Sequence, residues 1–263
     1  VIHNQGVPGG VHRPYCTVLT TSLKDGYLPT MGSVAWAAIA EEAAYGDNTP
    51  TVGQVSFNIR KAGGTTKVSS ELLEDSAINL PALLSQIFGE AQGRYEDTQL
   101  IGGDGTGEAE GIRTSATDGT VSASATAVAI ADFQTWYFNL PAQFRANAIV
   151  STTSSLMAQV AALDVTANKG SLTSAPATSL LGRTTALFDG TGWDDATAIS
   201  AGEEIGCIGD FSNYYLIDRI GMSMRRDDSI YVANDQVGFF ARSRYDGRVG
   251  LADAFRIFKI AAA

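Results

Sequence analysis

The feature that most constrains this chain is a pair of extended segments early in the sequence with nothing nearby to cover them. Over residues 27–40 the chain turns apolar, and Val34, Trp36 and Ala38 alternate with smaller residues. Residues 41–50 form a polar loop marked by Gly and Pro. Beyond it Val55, Phe57 and Ile59 point one way while Ser56, Asn58 and Arg60 point the other, the period of a strand. Two strands around one loop predict a ribbon of roughly 40 residues, each arm reaching on the order of 40–60 Å at about 3.3 Å per residue. An isolated two-stranded ribbon is marginal in water. This one needs a surface to lie on, and the sequence shows no local partner for it.

The rest of the composition closes several routes. With 28 acidic and 18 basic residues the chain carries a formal charge of −10, against the basic stripe that supplies non-specific affinity for duplex DNA. Cys16 and Cys207 stand alone with no CxxC spacing, so neither a zinc finger nor a disulfide framework is expected. His3 and His12 fall in the first twelve residues, leaving no imidazole in the body of the chain. Histidine-based triads and most catalytic zinc sites are thereby set aside. A hydrophobic content of 44% with 17% charged residues is that of a folded domain. No apolar run approaches the roughly 18–20 residues of a membrane span, and residues 1–10 lack the basic and apolar regions of a signal peptide.

Residues 1–24 are broken by Pro8, Gly9, Gly10 and Pro14 and read as an irregular arm. After the ribbon, residues 70–75 predict a short helical turn. The strongest helix follows: Asn79 is a suitable N-cap and Pro81 sits in the first turn, where its missing N–H costs little. Leu80, Leu84, Ile87, Ala91 and Tyr95 recur at helical spacing, predicting a helix to about residue 100. Residues 114–130 read as loop or weak strand, 131–140 as a helix stopped by Pro141, 147–151 as a buried strand, and 153 onward as a helix. Strands are expected at 180–187, 205–208 and 214–224. Near the end Val237, Phe239 and Ala241 alternate up to Asp246-Gly247, a dipeptide that signals a hairpin turn. Strands and helices mix without regular βαβ alternation, which makes the class α+β.

The chemistry-bearing motifs are weak. The run from Gly102 to Gly107 lacks the Gly-Lys-Ser/Thr ending, follows a helix, and has Asp104, Glu108 and Glu110 to repel phosphate, so it reads as a helix-ending break. The pairs Glu41-Glu42, Glu203-Glu204 and Asp227-Asp228 read as solvated surface, and Cys207 as a buried inert thiol. No GxSxG elbow and no HExxH helix occur. Trp36, Trp136 and Trp193 are scattered, as suits core or interface packing. Charge is uneven: residues 219–263 hold eight basic and five acidic side chains, net +3, which leaves −13 for residues 1–218. Arg outnumbers Lys 13 to 5, which suits geometric ion pairing more than diffuse phosphate binding.

The order of segments resembles one family. Phe57-Asn58-Ile59-Arg60-Lys61 leads to Thr66-Lys67-Val68-Ser69-Ser70-Glu71-Leu72-Leu73-Glu74, then a long helix, then Gly103-Asp104-Gly105-Thr106-Gly107 before Gly111-Ile112. Leu140-Pro141, Leu180-Leu181-Gly182-Arg183, Gly209-Asp210-Phe211-Ser212, Asn234-Asp235-Gln236-Val237 and Arg244-Tyr245-Asp246-Gly247 continue the pattern over residues 20–260. In this the chain resembles the tailed-bacteriophage major capsid proteins of the Hong Kong phage fold. The resemblance implies an N-terminal arm at 1–24 and an extended loop at 25–66. It further implies a peripheral domain with a long spine helix at 67–118 plus 219–263, and an axial domain at 119–218.

By the same resemblance, copies of the chain would self-assemble as hexamers and pentamers into an icosahedral shell around double-stranded DNA. The shell would include a portal and decoration proteins, touch the DNA by weak non-specific contacts, and have no membrane, cofactor, metal or enzymatic role. Its place would be the virion, with assembly in the host cytoplasm. An encapsulin-like compartment of the same fold is the alternative. Loss of an N-terminal scaffolding segment would suit a chain written from Val1. Trp36, Phe57 and Ile59 are the apolar intersubunit contact candidates, with Arg60 and Lys61 as polar anchors. Some relatives cross-link through a Lys, an Asn and a catalytic Glu; here Asn234 falls near the Asn, but Ala241 stands where the Glu would be, so no cross-link is expected.

Overall fold

The computed structural model describes residues 10–262 except 33, 35, 37, 40, 43–48, 51, 77–78 and 168–178; His3 and the start of the arm lie outside the described residues. The first half of the chain runs β1 (Thr17–Thr20), β2 (Asp25–Met31), β3 (Val52–Asn58), β4 (Arg60–Ser69), α1 (Ser70–Asp75), α2 (Leu80–Gly102), α3 (Ile112–Ser115) and β5 (Thr117–Val121). Then come α4 (Ile130–Asn139), α5 (Ala142–Arg145), β6 (Ile149–Thr152), α6 (Ser154–Ala167), β7 (Ser179–Leu180), β8 (Arg183–Leu187), β9 (Glu204–Gly209), β10 (Tyr214–Asp227), β11 (Gln236–Val249) and β12 (Phe255–Lys259). They form a four-stranded sheet in the order β1-β10-β11-β4, a six-stranded sheet in the order β5-β12-β9-β6-β8-β7, and the two-stranded ribbon β2-β3. The α+β expectation holds.

Helix α2 forms where its local signals place it. The Asn79 carboxamide oxygen accepts from the Ala82 N–H at 3.2 Å, Pro81 occupies the first turn, and the Gly103 N–H closes the end on the Gln99 carbonyl at 2.9 Å. Its 23 residues give about 34 Å of length. The burial is less expected. The apolar stripe of the first turns stays partly open, and full burial comes at the C-terminal end, at Glu96, Asp97, Gln99, Leu100 and Ile101. The six-stranded sheet carries the main core: Phe133 stacks on Phe258 at 5.1 Å, Trp136 packs on Phe258 at 5.2 Å, and the Trp136 indole donates to the Arg256 carbonyl at 2.9 Å. Cys207 is wholly buried there, and burial pushes its thiol well up, as an inert core thiol should be.

Three readings change and one open reading is decided. Residues 10–20 are not an irregular arm: β1 runs parallel to β10, pairing Thr17 with Tyr215 through Thr20 with Asp218. Gly10 and Pro14 mark breaks as expected, but long-range partners decide the rest. Of the two readings for 114–130, loop or weak strand, residues 117–121 take the strand, because β12 offers them a parallel edge. Asp246-Gly247 is not a turn. β11 passes straight through it, paired to β10 from Val249–Tyr214 down to Gly238–Asp227, and the hairpin turns instead beyond Asp227, where Asp235 takes a left-handed φ of 49°. Gly247 is needed for a close approach: a Cβ there would lie 2.2 Å from the Tyr214 hydroxyl. Finally Glu204 is not solvated surface but bonds Arg113 at 2.7 Å and Lys259 at 3.3 Å.

Candidate assembly surfaces

The ribbon leaves the body where β3 meets β4. Its register pairs Asp25 with Asn58 through Met31 with Val52. Gly26 faces Phe57, and a Cβ at Gly26 would sit 2.4 Å from the Phe57 ring, so the missing side chain is what lets the ring fold across the strand. The root has a local core after all. Phe57, Ile59 and Ile217 are buried together, with Leu19, Leu28 and Tyr215 against them. Polar bonds fasten it: the Ile59 N–H donates to the Lys24 carbonyl at 2.8 Å, the Asn58 N–H to the Asp246 carboxylate at 2.8 Å, and the Arg60 guanidinium to the Thr106 carbonyl at 3.0 Å. Burial holds the Asp246 carboxyl above the ordinary carboxylate range, although the Asn58 N–H and Arg248 pull it the other way.

Away from the root the ribbon is bare. Tyr27, Met31 and Val52 are exposed, with Met31 and Val52 directly opposite each other, and Val34 and Ile39 beyond them are exposed too. Trp36 is 98% exposed. Of the five contact candidates read from sequence, Phe57 and Ile59 are covered by the chain itself. Arg60 is tied to Thr106, and Trp36 and Lys61 face solvent. An apolar ribbon of this length without cover is the kind of surface that a soluble protein keeps for a partner.

A second construction ties the N-terminal segment across the molecule. His12 is fully buried, its Nδ1 2.9 Å from Asp97 Oδ1 on α2 and its Nε2 2.7 Å from Ser151 Oγ on β6. The Trp193 indole, which can only donate, gives its N–H to the same Ser151 oxygen at 2.9 Å. The serine hydroxyl proton then goes to Nε2 and the Nδ1–H to Asp97, so the whole chain of bonds is satisfied. The ring stacks on Phe211 at 5.6 Å and meets Phe188 edge-on.

Asp97 also accepts the Val11 N–H at 2.9 Å and the His12 N–H at 3.1 Å. Burial alone raises its pKa, and the bonds from His12 and the two backbone N–H groups outweigh that, leaving it below the ordinary carboxylate value. Next door Arg13 bridges Glu96 at 2.9 Å and Asp218, while Gln92 donates to Glu96 at 2.8 Å. The connectivity is that of a Ser-His-Asp triad, but Ser151 is fully buried and has no face for a substrate. It is a brace between α2, β6 and the N-terminal segment. Sequence reading passed over it because its members lie 85 and 139 residues apart.

The sheet edge carries unbalanced positive charge. Lys61 stands opposite Arg244 in the register of β4 and β11, and Arg242 lies two residues along. Among the described residues none of the three is in an ion pair. Beside them a cavity of about 440 Å³ opens between the sheet and α2. The described residues hold no cluster of three or more metal-ligating side chains, and no described helix is long and apolar enough to cross a membrane.

Two sheets, a spine-like helix and a projecting ribbon are the Hong Kong phage capsid fold, and solved structures bear this out. The chain is similar to the capsid of an empty GTA particle, at 23% identity and a TM-score of 0.83 over 100% of this chain and 93% of that one. It is similar also to the capsid of a native GTA particle, at 24% identity and 0.79 over 98% and 93%. A structure from Gordonia phage Cozz matches at 16% and 0.75 over 100% and 90%. No curated protein matches the sequence. The model of the phage capsid family matches residues 10–260, and the chain belongs to that family. It is a structural capsid subunit of the virion, one that assembles with copies of itself.

Proposed function

We propose that this chain is the major head protein whose hexamers and pentamers close into an icosahedral shell around double-stranded DNA, with no reaction catalysed. The observation that carries the proposal is the ribbon: beyond its root the described apolar residues Tyr27, Met31, Val34, Trp36, Ile39 and Val52 are exposed in their own chain, and a second subunit supplies the cover. Closure follows from symmetry, many modest interfaces per subunit adding to a stable particle. In this reading residues 25–66 are the extended loop. Residues 67–118 with 219–263 are the peripheral domain and 119–218 the axial domain, stitched together where β12 enters the six-stranded sheet. The charge of −10 favours weak, non-specific contact with the packaged duplex, since tight phosphate binding would oppose filling and release.

A portal, decoration proteins, assembly in the host cytoplasm and removal of a preceding scaffolding segment belong to the same proposal. The expressed protein is expected to elute in the megadalton range and to show round particles by electron microscopy. A 27.6 kDa monomer at all concentrations refutes the shell. Nuclease-protected DNA in particles from infected cells supports a head, whereas particles filled with protein cargo favour the encapsulin-like compartment.

A further inference from the structure

The four-stranded sheet has two unlike faces. Residues directly opposite in the β4–β11 and β10–β11 registers share a face, and successive residues alternate. Ala62, Gly64, Ala241 and Ser243 therefore turn toward α2, where a Cβ on Gly64 would lie 3.6 Å from the Phe88 ring. Lys61, Arg242 and Arg244 turn the other way. Lys61 and Arg242 are exposed and Arg244 is half-buried. Arg225, diagonal to Arg242 on β10, carries this stripe of positive charge onto a third strand. Lys61 stands directly opposite Arg244, and like charges so placed repel across about 5 Å. The aspartates on this face give no relief: Asp227 pairs with Arg225 at 3.2 Å, and the buried Asp246 takes the Asn58 N–H and Arg248. A chain of formal charge −10 thus sets Lys61, Arg242 and Arg244 on one face with no ion pair among the described residues.

We propose that this face meets the phosphate backbone of the enclosed double-stranded DNA, through Lys61, Arg242 and Arg244. A duplex carries one negative charge per about 1.7 Å of its axis, so a fixed row of cations finds phosphates in any register. Arg242 and Arg244 lie two residues apart on β11, about 7 Å, and Lys61 is about 5 Å from Arg244 across the ladder. Gly63 stands opposite Arg242, so no cross-strand side chain screens that guanidinium. The Ser223 hydroxyl, 3.4 Å from Arg242 Nε, steadies it without neutralising it. Contacts of this kind hold phosphate and read no bases. They are few in one subunit and are multiplied over the copies of a shell, which suits a genome that must be both packed and released. The inference rests on the shell reading and adds an orientation: this sheet face toward the DNA, α2 away from it.

The test follows the fluorescence anisotropy of a labelled duplex of about 20 base pairs with the full-length, unassembled subunit as salt is raised. Three phosphate contacts give a slope of log affinity on log salt near −2.7, so going from about 50 to 200 mM salt weakens binding about 40-fold. Arg244→Ala makes the slope shallower by about 0.9, and Lys61→Ala with Arg242→Ala and Arg244→Ala flattens it. Arg226→Ala, which removes a cation from the other face, leaves it unchanged. Lys61→Glu controls for folding: opposite charges now face each other across the ladder, so the melting temperature holds or rises while duplex affinity falls. A slope that the triple variant does not move, or no duplex binding by a chain that forms particles, overturns the face and leaves the shell standing. A polyglutamate probe bound more tightly than the duplex through the same residues overturns DNA in favour of an acidic protein partner. A particle map with this face turned outward overturns the face as well. Duplex binding through these residues by a chain that never forms particles supports the face and overturns the shell.

Discussion

Replacing His12 by Ala tests how much of the fold hangs on the brace. The substitution leaves the Asp97 carboxylate, 1% exposed, with two backbone N–H donors and no side-chain partner. It strands the Ser151 hydroxyl beneath Trp193 and opens a void between Phe188 and Phe211. Removing one partner of a buried ionic hydrogen bond costs about 3–5 kcal/mol. That is a fifth or more of the roughly 5–15 kcal/mol that a domain has in total. At roughly 2–4 °C per kcal/mol for a chain near this size, the midpoint falls by about 10 °C. The assay is scanning calorimetry of the unassembled subunit at neutral pH. His12→Asn keeps an N–H donor on the Asp97 side and should recover part of the loss. A midpoint within about 2 °C of wild type for His12→Ala, roughly 1 kcal/mol or less, refutes the brace.

Further predictions follow from the same contacts. Asp97 has a folded pKa below its unfolded value near 3.9, so its stabilisation is complete above that value and lost as pH falls through the lower folded value. Asp97→Asn therefore lowers stability at neutral pH and flattens its fall as pH drops below about 4, which acid titration by circular dichroism reads directly. Gly247→Val drives a side chain into Tyr214 and destabilises the subunit by more than about 2 kcal/mol in urea, an outcome that a tolerant surface turn would not give. Boiled particles run as single subunits on denaturing gels, because Ala241 offers no carboxylate and is itself buried toward the core; a ladder resistant to reductant refutes this. Cys16, with its thiol pushed up to about 12 by burial, and Cys207 stay unlabelled by thiol reagents until denaturant is added.

What the sequence discloses is what local chemistry decides. Asn79 and Pro81 start α2 by capping and by a fixed φ, both within four residues of the effect. The alternation of Val55, Phe57 and Ile59 is likewise a property of one strand, and it holds in the structure, where the even positions Ser56 and Arg60 are exposed. The missed features depend on partners far along the chain. Asp246-Gly247 has the chemistry of a turn, yet Asn58 and Arg248 claim the aspartate and Tyr214 claims the space over the glycine, so the strand continues. The bare length of the ribbon was legible because exposure needs no partner, whereas the burial of Phe57 and Ile59 at its root required knowing where Ile217 lies.

One signal for the brace was present and went unread. Glu96 and Asp97 fall near the C-terminal end of a long helix, where the backbone dipole disfavours anions and where no basic residue occupies the last turn. Two adjacent carboxylates in that place, on a helix that must bury a face, require cations or donors from elsewhere. The chain has one segment with His and Arg side by side, His12-Arg13, and the structure delivers that dipeptide to those two acids. Misfit acids at the end of a buried helix therefore point to a partner even when the partner cannot be placed. Inside the subunit the unmatched charges meet by folding.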